Sequence, residues 1–81
     1  MKRYFLITLT DGRTFERDLN LIPGLPIGIR STDPTLVQIA MSFAREGIIE
    51  DKQAKNLRII APSQIASVEI IFEEGNNLKV S

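Results

Sequence analysis

Neither cysteine nor histidine occurs among the 81 residues of this chain, which limits how its fold can be stabilised. A chain of this length buries only about 60–65% of the surface that its unfolded state exposes. Disulfides are excluded by the composition, and structural zinc sites depend mainly on cysteine and histidine ligands. The sequence therefore predicts one domain, residues 1–81, that relies on its hydrophobic core and on a partner chain, most simply a second copy.

The overall composition predicts a soluble globular protein. The ten basic and ten acidic residues give a formal net charge of zero, with 43% hydrophobic and 25% charged residues. No stretch approaches the roughly 18 apolar residues of a membrane span. The first residues lack the long apolar run and the cleavage site of a secretory signal. We therefore predict a cytoplasmic protein without a membrane segment.

A β-hairpin is predicted at the start of the chain. Residues 4–10 alternate, and three apolar side chains share one strand face: Phe5, Ile7 and Leu9. Asp11-Gly12 follows as a turn signal. A two-residue loop would place Phe15 on the opposite face, whereas a three-residue loop pairs Ile7 with Phe15. We therefore predict the three-residue loop, with Gly12 in a left-handed bulge.

The segment 7–15, ITLTDGRTF, resembles the hairpin of Sm-like and SH3-like small barrels. This resemblance implies a small barrel as one form of the sheet. Sm-like chains place their helix before the strands, whereas here the helical pattern follows the second strand. RNA binding is therefore not carried over from that family.

Residues 19–32 are predicted to form an ordered connection, because two prolines and two glycines interrupt any helix there. Its aliphatic side chains either close one end of the core or belong to a loop that grips a ligand or peptide. Leu25, Ile27 and Ile29 also alternate, so a short edge strand is an open alternative.

Residues 34–46 carry the clearest helical pattern. Asp33 suits the N-cap, Pro34 suits the first helical position, and Gly47 suits a left-handed end. The apolar stripe has the spacing of one helix face: Leu36, Ile39, Ala40 and Phe43. Three more apolar residues widen it: Val37, Met41 and Ala44. Either the helix is deeply buried, or its flank contacts another subunit.

The remainder of the chain predicts two more strands. Residues 48–56 are expected to turn, 57–61 to form a third strand and 67–73 a fourth, with Pro62 separating the two strands. The inward side chains of the fourth strand are Val68, Ile70 and Phe72. Residues 78–80 are either a short edge strand or a frayed tail. The predicted class is α+β in ββαββ order, a mostly antiparallel sheet or a partly open small barrel with one covering helix.

The sequence gives little support to catalysis or cofactor binding. Histidine bases and cysteine nucleophiles are absent. The acidic residues lack the spacing of a calcium loop, and the glycines lack that of a phosphate-binding loop. We therefore predict that the protein is not an enzyme and has no catalytic, cofactor-binding or metal site.

Excess apolar surface favours a non-catalytic protein-interaction or assembly module that self-associates. The predicted partner-binding residues lie on the helix and on the 19–32 connection: Leu36, Val37, Met41, Phe43, Leu25, Ile27 and Arg30.

The alternative is a small nucleic-acid-binding regulator of the SH3- or Sm-like barrel type. Its phosphate contacts would come from the basic residues of the first hairpin: Lys2, Arg3, Arg13 and Arg17. The zero net charge and the interspersed acids disfavour nucleic acid as a partner.

Overall fold

The first hairpin adopts the register with the three-residue loop. The computed structural model describes the following residues of the chain: 2–25, 28–52, 56–73, 75 and 78–80. Strands β1 (Arg3–Leu9) and β2 (Thr14–Asp18) pair antiparallel, with Ile7 opposite Phe15. The Gly12 amide donates to the Leu9 carbonyl oxygen at 3.0 Å, and Gly12 has a φ of +91°. The predicted hairpin and its glycine bulge are confirmed.

A four-stranded antiparallel sheet is built around β1. Strands β5 (Ile65–Phe72) and β6 (Leu78–Lys79) extend it in the order β2-β1-β5-β6. Phe5 lies opposite Ile70 on the neighbouring strand. The inner face of the two central strands supplies much of the core: Phe5, Ile7, Leu9, Val68, Ile70 and Phe72. The predicted inward face of the fourth strand is therefore confirmed.

The helix α1 (Pro34–Glu46) covers this inner face and contacts β5. Asp33 Oδ1 accepts a hydrogen bond from the Thr35 amide at 2.9 Å, which satisfies one of the open amides of the first turn. Pro34 occupies the first turn, where no amide donor is needed. At the other end the Gly47 amide donates to the Phe43 carbonyl oxygen. The predicted helix bounds and the Asp33 N-cap are confirmed. Gly47 ends the helix with the predicted positive φ of +84°, but its ψ of −173° is extended rather than left-handed helical.

We expect Asp33→Ala to lower the free energy of unfolding by about 1 kcal/mol, because the Thr35 amide loses its acceptor. Asp33→Ser keeps a capping oxygen and should retain most of the stability. Urea denaturation followed by circular dichroism measures both variants. Equal losses of unfolding free energy in the two variants would show that the capping hydrogen bond contributes little to stability.

The 19–32 connection closes one end of the core. It starts with a 3₁₀ turn at Leu19–Leu21, and the side chains of Leu19 and Ile29 are buried. Ile22 and Leu25 pack against the same core, as the first alternative predicts. Its described residues form no edge strand, and Ile27 lies outside the described residues.

The turn predicted for residues 48–56 is wrong. Strand β3 (Ile48–Lys52) pairs antiparallel with β4 (Asn56–Ile60) in a separate second hairpin. Ile48 and Ile60 lie opposite each other and are both buried, which ties the hairpin to the core. A 3₁₀ turn at Pro62–Gln64 then leads into β5.

The α+β class is confirmed, and the elements of the predicted ββαββ order are all present, with β3 added after the helix and β6 added at the end. The strand pairs of the described residues are all antiparallel. Strand β5 begins two residues earlier than predicted, and β6 realises the edge-strand alternative. In the described residues β2 and β6 each pair on one side, so the sheet is open rather than closed as a barrel. No described helix has the length and apolarity needed to cross a bilayer.

Candidate interaction surfaces

The second hairpin presents two large apolar side chains that are mostly exposed to solvent. Ile49 and Ile59 are 63% and 68% exposed and lie directly opposite each other. Opposite residues on one side of an antiparallel pair have Cβ atoms about 4.5–5.5 Å apart. The two isoleucines therefore form one apolar patch, which we call the hairpin face.

The hairpin face is held in a defined place by contacts at its base. An isolated two-stranded hairpin is marginally stable in water. Here Ile48 and Ile60 are anchored in the core, and Arg17 Nη2 donates to the Ile49 carbonyl oxygen at 3.2 Å. The Arg17 guanidinium also lies 5.9 Å from the Phe43 ring centroid. These contacts connect the hairpin to β2 and to α1.

The helix residues predicted to bind a partner divide between core and surface. Leu36 is fully buried, which corrects its assignment as a contact residue: the helical stripe on which it lies faces the sheet. Phe43 is half-buried, and its ring packs edge-on against Phe5 at 5.2 Å between centroids. Val37 is half-buried against the core, whereas Met41 is 49% exposed. The helix is thus deeply packed, and Met41 is the member of this set with a largely exposed side chain.

Two shallow grooves lie at opposite ends of α1. One, of about 270 Å³, is lined by Met41, Ala44, Arg45 and Val80. The other, of about 400 Å³, is lined by Gly28, Ile29, Arg30, Thr32, Asp33 and Pro34. Arg30 is exposed there, whereas Leu25 is half-buried against the core and Ile27 lies outside the described residues. Since a helix rises 1.5 Å per residue, the ends are roughly 15 Å apart, and the predicted residues do not form one surface.

Two of the four basic residues proposed for nucleic-acid binding form exposed ion pairs. Lys2 Nζ lies 2.5 Å from Glu16 Oε1, and this hydrogen bond raises the pKa of Lys2 above its ordinary value. Arg13 Nε lies 2.6 Å from Asp11 Oδ2. The Arg13 backbone amide also donates to Asp11, which lowers the pKa of that carboxyl group.

The other two basic residues lie on the inner side of the sheet, at its margin. The Arg3 guanidinium is 4.5 Å from the Phe72 ring centroid, and Arg17 lies opposite Phe5 in register. Arg3 and the turn that carries Arg13 are at opposite ends of a seven-residue strand, roughly 20 Å apart. The four basic residues therefore do not converge on one patch, and the geometry does not favour the nucleic-acid alternative.

The outer side of the four-stranded sheet forms a second apolar area. Its centre consists of Tyr4, Leu6 and Ile71, all half-buried. Tyr4 pairs with Asp18 on one side and Ile71 on the other, and Leu6 lies between Glu16 and Glu69. We call this surface the open sheet face, because in the described part of the chain α1 packs on the opposite side.

Sequence reasoning missed the hairpin face. The signal was present as two isoleucine doublets, 48–49 and 59–60, placed symmetrically around residue 54. Neighbouring residues of a strand point to opposite sides, so each doublet supplies one buried and one exposed isoleucine. The mirrored placement brings the two buried ones opposite each other in an antiparallel hairpin, and likewise the two exposed ones.

The described residues contain no group of three acidic, cysteine or histidine side chains placed to hold a metal ion. Comparison with known proteins finds no relative: no family model, no curated protein and no solved structure matches the chain.

Proposed function

We propose that this protein is a non-catalytic assembly module that self-associates through its hairpin face. The observation that carries the proposal is the exposure of Ile49 and Ile59 on a hairpin whose other side is anchored in the core. Exposed apolar side chains that are adjacent and held rigidly are typical of protein contact surfaces.

A second copy is the partner that this surface fits most simply. In a two-fold symmetric contact, Ile49 of one copy packs on Ile59 of the other, and the reverse contact follows by symmetry. Each isoleucine that becomes fully buried contributes about 1.5–3 kcal/mol. Association also has an entropic cost of about 4–15 kcal/mol, so four isoleucines support a weak dimer. We expect a dissociation constant on the order of micromolar or weaker.

Analytical ultracentrifugation between ~1 and ~500 μM tests the proposal. The wild-type protein should shift from monomer to dimer across this range. The double variant I49T/I59T should remain monomeric, because threonine keeps the β-branched shape but replaces a methyl-bearing group with a hydroxyl. Circular dichroism should show an unchanged fold.

Met41→Gln is the matched control, since Met41 is the exposed apolar residue of the helix flank. It should leave the monomer–dimer equilibrium within about twofold of wild type. A wild-type protein that stays monomeric at the highest concentration would refute self-association. Loss of the dimer in Met41→Gln but not in I49T/I59T would move the contact to the helix flank.

A further inference from the structure

We propose that the open sheet face binds a second partner, a basic amphipathic helix from another protein. This surface is formed by the four-stranded sheet, whereas the proposed self-association uses the separate β3–β4 hairpin, so the two contacts involve different residues. The inference concerns a hetero-partner and goes beyond self-association.

The centre of the face has the apolar character that a helix would cover. Tyr4 and Ile71 are direct cross-strand neighbours, and Leu6 is on the same side of β1. On the inner side of the same sheet, Leu36 and Ala40 of α1 are fully buried. A helix on the outer side would complete a three-layer arrangement with the sheet in the middle.

The charges around the centre indicate which helix fits. Four acidic residues lie on or beside the face: Glu16, Asp18, Glu69 and Glu73. Two basic residues accompany them. The Lys2 ammonium pairs with Glu16 and lies 4.9 Å from the Tyr4 ring centroid, and Lys79 lies opposite Glu69, which leaves a surplus of two acidic residues. Because the whole chain has no net charge, this surplus of acid is local. If two copies of the chain packed through this face, their surplus negative charges would repel each other. A partner helix with lysines on either side of an apolar stripe would instead complement the negative charge.

Tyr4 supplies a direct probe of this surface. It is the only tyrosine, and the chain contains no tryptophan, so the tyrosine emission of the protein originates at the face. A synthetic helix of ~15 residues made of leucine, lysine and alanine adds no aromatic signal. We expect it to change the Tyr4 emission saturably, with an affinity that falls about tenfold when salt is raised from ~50 to ~500 mM.

Charge reversal tests the location. Glu69→Lys should weaken peptide binding by about tenfold, because it replaces an attraction by a repulsion directly beside Leu6 in the centre of the face. Glu46→Lys changes the net charge equally at the exposed end of α1 and should leave binding within about twofold. The hairpin variant I49T/I59T should bind the peptide as wild type does, which separates this proposal from self-association.

Three results would overturn the inference. The first is equal binding of a peptide in which glutamate replaces lysine, which would remove charge as the basis of recognition. The second is equal weakening by Glu69→Lys and Glu46→Lys, which would show a response to net charge alone. The third is no change in Tyr4 emission at ~1 mM peptide, a concentration at which even weak contacts of this class are occupied.

Discussion

Gly47→Ala is expected to lower the free energy of unfolding by about 3–5 kcal/mol, because backbone strain and a steric overlap act on the same residue. Gly47 has a φ of +84° and a ψ of −173°, in a region that only glycine adopts readily. A Cβ atom at this position would also overlap the carbonyl oxygen of Ile60 and lie 3.1 Å from Cδ of Pro62. The backbone strain and the steric overlap act together, since the helix end and the start of β3 are both fixed.

Alanine substitutions at two other glycines allow the backbone strain and the steric overlap to be measured separately. Gly24 has a φ of +81° with open space around it, so Gly24→Ala should cost about 1–2 kcal/mol from backbone strain alone. Gly28 has open space and no positive φ, so Gly28→Ala should be neutral or slightly stabilising. Chemical denaturation of the three variants measures the series. A cost for Gly47→Ala no larger than that for Gly24→Ala would show that the Ile60 contact yields without penalty.

The loss of folding stability in Gly47→Ala should also affect the proposed self-association. An 81-residue chain is expected near the lower end of the stability range of natural domains, about 5 kcal/mol, so a loss of about 3–5 kcal/mol removes most of its stability. The chain leaves Gly47 directly into Ile48, whose burial anchors the second hairpin. We therefore expect the Gly47 variant to lose dimerisation together with its fold, whereas I49T/I59T loses dimerisation alone.

The elements that could be predicted from the sequence are those in which any other register or boundary would expose apolar side chains or leave a helix end uncapped. The first hairpin is an example, because a shift of one residue would remove Phe15 from the side that carries Ile7. The helix is another example, because Asp33 offers a side-chain acceptor at its start and Gly47 allows the positive φ at its end. The positive φ predicted at Gly47 is confirmed, although the ψ is extended because the next residue already begins a strand.

The second hairpin was not predicted, because its stabilising contacts are distant in sequence. The residues from 50 to 58 are mostly polar, so local composition favours a turn. The burial of Ile48 and Ile60 depends on the core formed by the sheet and the helix, which a local pattern does not contain. Of the two alternatives for the apolar surplus of the helix, the structure shows deep packing for most of it, with Met41 left exposed.

Phe5→Ala is expected to cost about 3–5 kcal/mol, as is typical when a fully buried aromatic side chain is removed. Phe5 has no exposed surface and lies on β1, the strand that pairs with both β2 and β5. Its ring also packs edge-on against Phe43 of the helix, a contact that contributes about 0.5–1.5 kcal/mol beyond its buried area. The variant leaves a cavity at the point where sheet and helix meet.

Leu6→Ala is the matched control, because Leu6 is the next residue on the same strand and points to the open sheet face. Its side chain is half-buried, so its removal should cost about 1 kcal/mol and leave the fold intact. Urea denaturation of both variants compares the two sides of one strand directly. A cost at Leu6 equal to that at Phe5 would mean that the outer side is already packed as tightly as the inner one. The open sheet face would then have no free surface for a partner helix, and the proposed binding site would be lost with it.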